Sequence, residues 1–139
     1  MSGKRHAKLA AALEHPRITI CKRFGDEGPV EVGILAWGST FGEALEAMML
    51  ARKEGIRCAA MKVVMLSPLP VDQIQAFMED SAHVLVPELN YQGQFANLIS
   101  GALGRPVERL NRVTGKPMEV SEILDSVRAL TDKSRRTAA

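Results

Sequence analysis

Short apolar runs alternate with amphipathic stretches along most of the chain. Four runs of β-branched and other apolar residues between turn residues predict buried strands. They cover residues 32–37, 58–65, 82–88 and 105–110. Each is followed by a stretch with apolar residues three and four positions apart, which predicts helices over 39–55, 71–79, 91–103 and 119–130. Strand–helix alternation of this kind predicts a mainly parallel sheet with helices on both faces.

The spacing also predicts which side of each helix faces the sheet. The inward residues are Phe41, Ala44, Leu45 and Met48; Ile74, Phe77 and Met78; Phe95, Leu98, Ile99, Ala102 and Leu103; and Ile123, Leu124, Val127 and Leu130. Thr40 and Glu43 have the spacing of a capping box. Gly55 and Gly104 stand where C-terminal helix glycines belong.

The two ends of the chain differ from this regular part. A helix with its charged residues in solvent is predicted over residues 2–13, and Pro16 ends it. The alternation of apolar Ile18 and Ile20 with polar neighbours predicts an edge strand over 18–22. The polar residues after Leu130 predict a frayed tail. The expected organisation is therefore an N-terminal helix and edge strand over 1–29, one α/β domain over 30–130 and a tail over 131–139.

Two polar clusters fall at the carboxyl ends of predicted strands, the edge at which parallel sheets hold their ligands. The first is Gly38, Ser39 and Thr40, where a glycine turn and a hydroxyl cap would aim the first helical N–H groups at an anion. It is neither a P-loop nor a GxGxxG fingerprint. The alternative is an ordinary capped helix.

The second cluster is Glu88, Asn90, Gly93 and Gln94. Glu88 and Asn90 stand at alternate positions and can project the same way, and Gly93 allows a close approach of another backbone or a partner. In the alternative, Glu88, Asn90 and Gln94 hydrogen-bond one another and the neighbouring turns. No His, Ser or Cys lies nearby in sequence to complete a catalytic set with Glu88, so we predict no catalytic residue.

Composition narrows the functional classes further. The 139 residues carry a formal net charge of +2 and only 4% aromatic residues, which argues against a nucleic-acid partner. No run of about 18 apolar residues is present to span a membrane, and a cytoplasmic location is the default expectation. Cys21 and Cys58 match no CxxC pair and no zinc pattern, so we expect two free thiols and no metal site.

The order of the motifs resembles a known family. Trp37 to Thr40 form a WGS turn, Ser67 to Pro70 form SPLP, Glu88 to Gln94 form an E-x-N-x-x-G-Q run, and Gly115 to Pro117 belong to a late TGKP loop. This ordered set resembles the C-terminal region of the alpha subunit of 2-oxoacid:ferredoxin oxidoreductases, the 2-oxoglutarate type most closely. The resemblance covers roughly residues 4–130.

The resemblance implies a fold and a set of partners. The fold is transketolase C-terminal-like: a three-layer α/β/α sandwich whose five-stranded sheet is mainly parallel, with one antiparallel edge strand, for which 18–22 is the candidate. The enzymes of this family use thiamine diphosphate with Mg²⁺ and an iron–sulfur cluster to convert a 2-oxoacid and coenzyme A to an acyl-CoA, with ferredoxin as electron acceptor. The Gly-Asp-Gly…Asn pattern that holds Mg²⁺ and the diphosphate is missing from this sequence.

The expected role is therefore a non-catalytic assembly domain or small subunit that binds no cofactor by itself. Its partners would be the thiamine-binding N-terminal part of the alpha subunit and the beta subunits, with a homo-oligomer possible in isolation. Two other readings stay open at this point. One is the equivalent domain of a transketolase or a 2-oxoacid dehydrogenase beta subunit, and the other is a free-standing module that binds a small anion.

Overall fold

A five-stranded sheet forms the centre of the computed structural model, which describes residues 21–64, 70–88, 94–111 and 118–138. The strands are β1 (Cys21–Gly25), β2 (Val30–Trp37), β3 (Cys58–Val63), β4 (Ser81–Glu88) and β5 (Glu108–Asn111), in the spatial order β1-β3-β2-β4-β5. Strands β2, β3, β4 and β5 pair in parallel. The predicted strand–helix alternation is therefore confirmed.

Four helices cover the two faces of this sheet. They are α1 (Phe41–Lys53), α2 (Val71–Asp80), α3 (Gln94–Leu103) and α4 (Val120–Ala138). Helices α1 and α4 pack on one face in a core that includes Ile34 and Leu85, and α2 and α3 pack on the other in a core that includes Leu35 and Val86. Neighbouring residues of one strand thus enter opposite cores, as the period of two requires. The three-layer sandwich is confirmed.

The edge strand β1 runs against the others. Cys21 lies opposite Val63 and Gly25 lies opposite Ala59, which is the antiparallel register. The expected reversed edge strand is therefore present; it includes Cys21 and Lys22 and continues to Gly25, beyond the predicted end, and residues 18–20 lie outside the described residues. Phe24 faces the core of α1 and α4 from this strand.

The central strand β2 is buried nearly along its whole length because helices cover both of its faces. Gly33 permits the closest of these contacts. A Cβ built on Gly33 would stand 2.1 Å from Ser81 Oγ and 2.9 Å from Phe77 Cζ. Helix α2 can therefore lie this close to the sheet only with glycine at this position.

Most of the inward helix residues are where the spacing predicts them. The predicted inward residues of α2 and α4 are all buried, as are Phe41, Ala44 and Met48 of α1. Helix α3 departs from the prediction: Phe95 and Ile99 are buried, whereas Leu98 is 40% exposed and Ala102 is exposed. This helix packs against α2 and β4, and the flank that carries Leu98 and Ala102 is left in solvent.

The last helix is longer than the sequence indicates. Instead of stopping at Leu130, α4 continues to Ala138. Thr131 is buried against the sheet side, and Arg135 donates hydrogen bonds to both carboxylate oxygens of Glu31 at 3.0 and 3.1 Å. The expectation of a frayed tail is wrong for 131–138, because contacts distant in sequence stabilise this polar segment.

Some expectations lie outside the described residues. They are the helix over 2–13 and the greater part of the SPLP and TGKP segments, over 67–69 and 114–117. The division of the chain at residues 29 and 130 also stays a prediction. In the described part of the chain, no helix combines the length and apolar character that a membrane crossing demands.

Candidate functional site

The carboxyl ends of the parallel strands meet at one edge of the sheet, called the carboxyl edge below. Trp37 at the end of β2 lies opposite Val63 at the end of β3, and Glu88 at the end of β4 lies opposite Asn111 of β5. Strands β2 and β4 are themselves parallel neighbours. The Gly38–Thr40 turn and Glu88 therefore lie at the same edge.

The chain leaves β2 through a sharp turn at Gly38. Trp37 is still extended, with φ −126° and ψ 139°, and Gly38 has φ +71°, which a residue with a side chain adopts only at a cost. A Cβ at Gly38 would meet nothing within 4 Å, so backbone conformation rather than space requires glycine here. A 3₁₀ turn over Gly38–Thr40 then leads into α1.

Thr40 does not cap α1 in the way that the capping-box spacing predicts. Its backbone is already helical, with φ −71° and ψ −16°, and its side chain makes no capping hydrogen bond. Thr40 is 5% exposed. The predicted capping box is wrong because the 3₁₀ turn begins the helical backbone before Thr40, where an N-cap residue would have extended dihedrals. Ser39 lies within the same turn.

Glu88 turns inward and binds the beginning of α3. Its Oε2 accepts a hydrogen bond from the Phe95 N–H at 3.0 Å, and its Oε1 accepts one from the Ala96 N–H at 2.6 Å. The side chain is 7% exposed. A carboxylate that accepts two first-turn N–H groups stabilises the helix through charge-assisted hydrogen bonds and through the positive end of the helix dipole.

This geometry decides the role of Glu88. Both of its oxygens are engaged by the protein's own backbone, so the carboxylate is not placed to act as a general base or to face a partner. The expectation that Glu88 and Thr40 face outward is corrected by their burial. Asn90 and Gly93 lie outside the described residues, and Gln94 is the first residue of α3. For Glu88, the alternative of a hydrogen bond to the neighbouring turn is the one observed.

Two apolar side chains at this edge face solvent. Trp37 is 47% exposed and Val64, which follows β3, is 52% exposed. In the sequence, Trp37 counts only as the end of a buried strand and as the first residue of the WGS motif, so its exposure is not predicted. An exposed tryptophan on a rigid strand end is typical of protein–protein contact surfaces.

The two cysteines are free, as predicted. Cys58 is buried, and burial raises the pKa of its thiol to about 12, with the nearby Asp26 carboxylate adding to the effect. Burial also raises the pKa of Cys21. Cys21 lies opposite Val63, five positions along β3 from Cys58, so about 16 Å of strand separates the two thiols. Two protonated thiols this far apart do not fit an iron–sulfur cluster.

Metal-ligand chemistry is likewise missing from the part of the chain that the structure describes. No group of three or more His, Cys, Asp or Glu side chains converges there in a way that could hold a metal ion. The residues described therefore do not fit the Mg²⁺ or the cluster that the family resemblance implies for the whole enzyme.

A mainly parallel five-stranded sheet with one reversed edge strand, covered by helices on both faces, defines a transketolase C-terminal-like domain. A split-gene transketolase, an inactive beta4 tetramer, shares this fold with a TM-score of 0.61 and 17% identity over 80% of this chain and 41% of that chain. Residues 30–123 match the family model of pyruvate:ferredoxin oxidoreductase core domain II, and the chain belongs to that family.

Relatives of known name agree with this membership. The chain is 31% identical over 91% of its length to the alpha subunit of 2-oxoacid:ferredoxin oxidoreductase 1 of Aeropyrum pernix, and 28% identical over 98% to that of Saccharolobus solfataricus. It covers 20% and 22% of those relatives. A 2-oxoglutarate:ferredoxin oxidoreductase structure from Magnetococcus marinus superposes with a TM-score of 0.85 at 32% identity, over 92% of this chain and 22% of that one. The chain thus spans about a fifth of the relatives' length.

Proposed function

We propose that this chain is a non-catalytic assembly domain or small subunit of a cytoplasmic, thiamine-diphosphate-dependent 2-oxoacid:ferredoxin oxidoreductase. In the assembled enzyme a 2-oxoacid, with 2-oxoglutarate as the favoured substrate, is oxidatively decarboxylated to an acyl-CoA while ferredoxin accepts the electrons. The ferredoxin-linked branch is favoured over a transketolase because the family match covers residues 30–123, whereas the likeness to transketolase rests on fold alone.

The choice of 2-oxoglutarate rests on similarity. The Magnetococcus marinus enzyme is described with 2-oxoglutarate, coenzyme A and succinyl-CoA bound, and a Mycobacterium tuberculosis 2-oxoglutarate oxidoreductase subunit is 30% identical over 73% of this chain. Ketoisovalerate oxidoreductase subunits match at 30% identity as well, so the relatives differ in the acid that they oxidise. We therefore expect the other domains of the enzyme, and not this one, to select the 2-oxoacid substrate.

One observation supports the assembly role above the others. At the carboxyl edge, where this fold class holds its ligands, the buried acid Glu88 accepts hydrogen bonds from the first turn of α3. At the same edge the side chain of Trp37 is exposed to solvent. The first described residue of β1, Cys21, lies in the same row of the sheet as Val63 and Trp37.

The cofactors are assigned to other parts of the enzyme. When bound, thiamine diphosphate supplies the carbanion chemistry of decarboxylation, and the iron–sulfur cluster supplies the electron path. In the described residues the separated, protonated cysteines and the missing group of ligands support this assignment. What this chain supplies is a rigid edge on which the neighbouring domains are positioned.

The direct test is a reconstitution of activity. The purified chain with 2-oxoglutarate, coenzyme A, thiamine diphosphate, Mg²⁺ and a viologen acceptor should show no acceptor reduction. Addition of the polypeptides that supply the other four-fifths of the relatives' length should restore it, and omission of this chain should abolish it. Turnover by the chain alone, or equal turnover by the other polypeptides without it, would contradict the proposal.

A further inference from the structure

Two lysines face each other across the edge of the sheet. Lys22 of β1 and Lys62 of β3 are direct cross-strand partners, and both are exposed. The Cβ atoms of such a pair lie about 4.5–5.5 Å apart, and like charges at directly opposite positions destabilise a sheet. This pair cannot be predicted from the sequence alone, because it depends on the antiparallel register of β1 against β3.

Neither ammonium group is neutralised by a carboxylate within the described ranges. Three arginines of this domain, by contrast, form ion pairs: Arg23 with Asp80 at 2.7 Å, Arg52 with Asp26 at 3.2 Å, and Arg128 with Glu54 at 2.6 Å. Glu43, in the first turn of α1, is the nearest acid to Phe41 along the chain, yet it forms no ion pair with either lysine. Two positive charges are thus held together without a compensating acid.

Aromatic rings determine where the two side chains lie. Lys22 Nζ is 5.1 Å from the centroid of the Phe24 ring, and Lys62 Nζ is 5.6 Å from that of Phe41. The two rings are themselves in contact, with centroids 5.4 Å apart. Each ammonium group therefore has a cation–π contact with one ring of a contacting aromatic pair, Lys22 with Phe24 and Lys62 with Phe41.

We propose that Lys22 and Lys62 form a binding site for one phosphate group, either inorganic phosphate or the phosphate of a larger ester. A phosphate dianion carries enough charge and enough acceptor oxygens to bridge both ammonium groups, whereas a single carboxylate neutralises only one. Bound phosphate would remove the like-charge repulsion across β1 and β3. This site is distinct from the Gly38–Thr40 turn and independent of the assembly role proposed above.

The test compares the purified 139-residue chain with Lys22→Gln/Lys62→Gln. Because phosphate also stabilises proteins by exclusion from their surface, the thermal midpoint is measured in phosphate and in sodium chloride at equal ionic strength. Lys53→Gln is the matched control, since Lys53 is exposed at the opposite end of α1. Glycerol 3-phosphate is the organic probe, and a glutamate-rich peptide tests for an acidic protein partner instead.

The parent chain and Lys53→Gln should gain about 3 °C or more from saturating phosphate, beyond the effect of chloride, and the double variant should lose this gain. Amide NMR shifts at Lys22, Lys62 and Phe41 should move in the parent. Equal gains with the two probes indicate the phosphate group alone, and a larger gain with glycerol 3-phosphate indicates an ester; either supports the site. No gain, an equal gain in the double variant, or a gain from the peptide alone would overturn it.

Discussion

Glu88 shows how an acid that the sequence places at a candidate binding edge becomes structural in the fold. It is an acid at the carboxyl end of a parallel strand, the position at which enzymes of this architecture often place catalytic groups. In the fold, the first turn of α3 donates hydrogen bonds to its two oxygens. The sequence contains the acid and the helix but does not show that they meet, because the contact depends on where the loop between them directs the chain.

Glu88→Ala should lower the free energy of unfolding by about 2 kcal/mol, because the buried N–H groups of Phe95 and Ala96 lose their acceptors. Glu88→Gln keeps one acceptor oxygen and should cost about half as much. Urea unfolding monitored by far-UV circular dichroism measures both. Glu46→Gln, an exposed change on α1, is the control. A cost for Glu88→Gln no larger than that of the control would contradict the capping role.

The buried hydroxyl of Thr131 has a predicted effect on stability. Thr131 is 2% exposed, and its hydroxyl has no hydrogen-bond partner in the structure. Thr131→Val should therefore raise the free energy of unfolding by about 1 kcal/mol, since a methyl of the same shape replaces a buried, unpaired hydroxyl. Thr131→Ser keeps the hydroxyl and removes the methyl, and it should be destabilising. Calorimetric midpoints falling in the reverse order would refute this account.

At the scale of elements, hydrophobic spacing predicted strand and helix positions better than it predicted their ends. Ile74, Phe77 and Met78 are all buried as expected, because α2 lies over the central strands where every inward position is covered. Leu98 is exposed because it lies on the flank of α3 that no other element covers in the described part of the chain. The continuation of α4 depends on Arg135 reaching Glu31, a contact across more than 100 residues that no local pattern contains.

The turn after β1 is fixed to β3 by one acid. Asp26 accepts a hydrogen bond from the Cys58 N–H at 3.1 Å and pairs with Arg52 at 3.2 Å. Partial burial by itself would raise the pKa of Asp26, but the Cys58 N–H, Arg52 and Arg57 together hold that pKa below its usual value.

The lowered pKa of Asp26 determines in which direction the stability of the fold changes with pH. Native Asp26 is ionised more readily than in the unfolded chain, so its stabilisation is complete above the unfolded pKa of about 3.9 and is lost as pH falls through the lower native value. Asp26→Asn should therefore flatten the fall in stability below about pH 4. Thermal midpoints of the parent and the variant, taken from pH 6 to pH 2, measure this. Parallel curves for the two proteins would show that Asp26 does not link the turn to pH.

At the scale of the whole molecule, the sequence was sufficient for the fold class and the family but not for the character of the carboxyl edge. Parallel pairing of β2 and β4 brings Trp37 and Glu88 to one edge, as strand–helix alternation predicts. Which side chains point outward depends on the turns that follow the strands, and those turns bury Thr40 and Glu88 while leaving Trp37 in solvent. An exposed edge of this kind also predicts self-association of the chain when its partners are missing.

In the proposed function, the carboxyl edge binds a neighbouring domain while turnover takes place elsewhere in the enzyme. The most direct measurement is a titration of Trp37→Ala into the remaining polypeptides of the enzyme, recording both binding affinity and kcat at saturation. Met49→Ala is the control, because Met49 is 52% exposed but lines a hollow with Arg52 and Gly55. We predict at least about 10-fold weaker binding for Trp37→Ala, with kcat unchanged once the complex is saturated. Unchanged affinity with a reduced kcat would contradict the account.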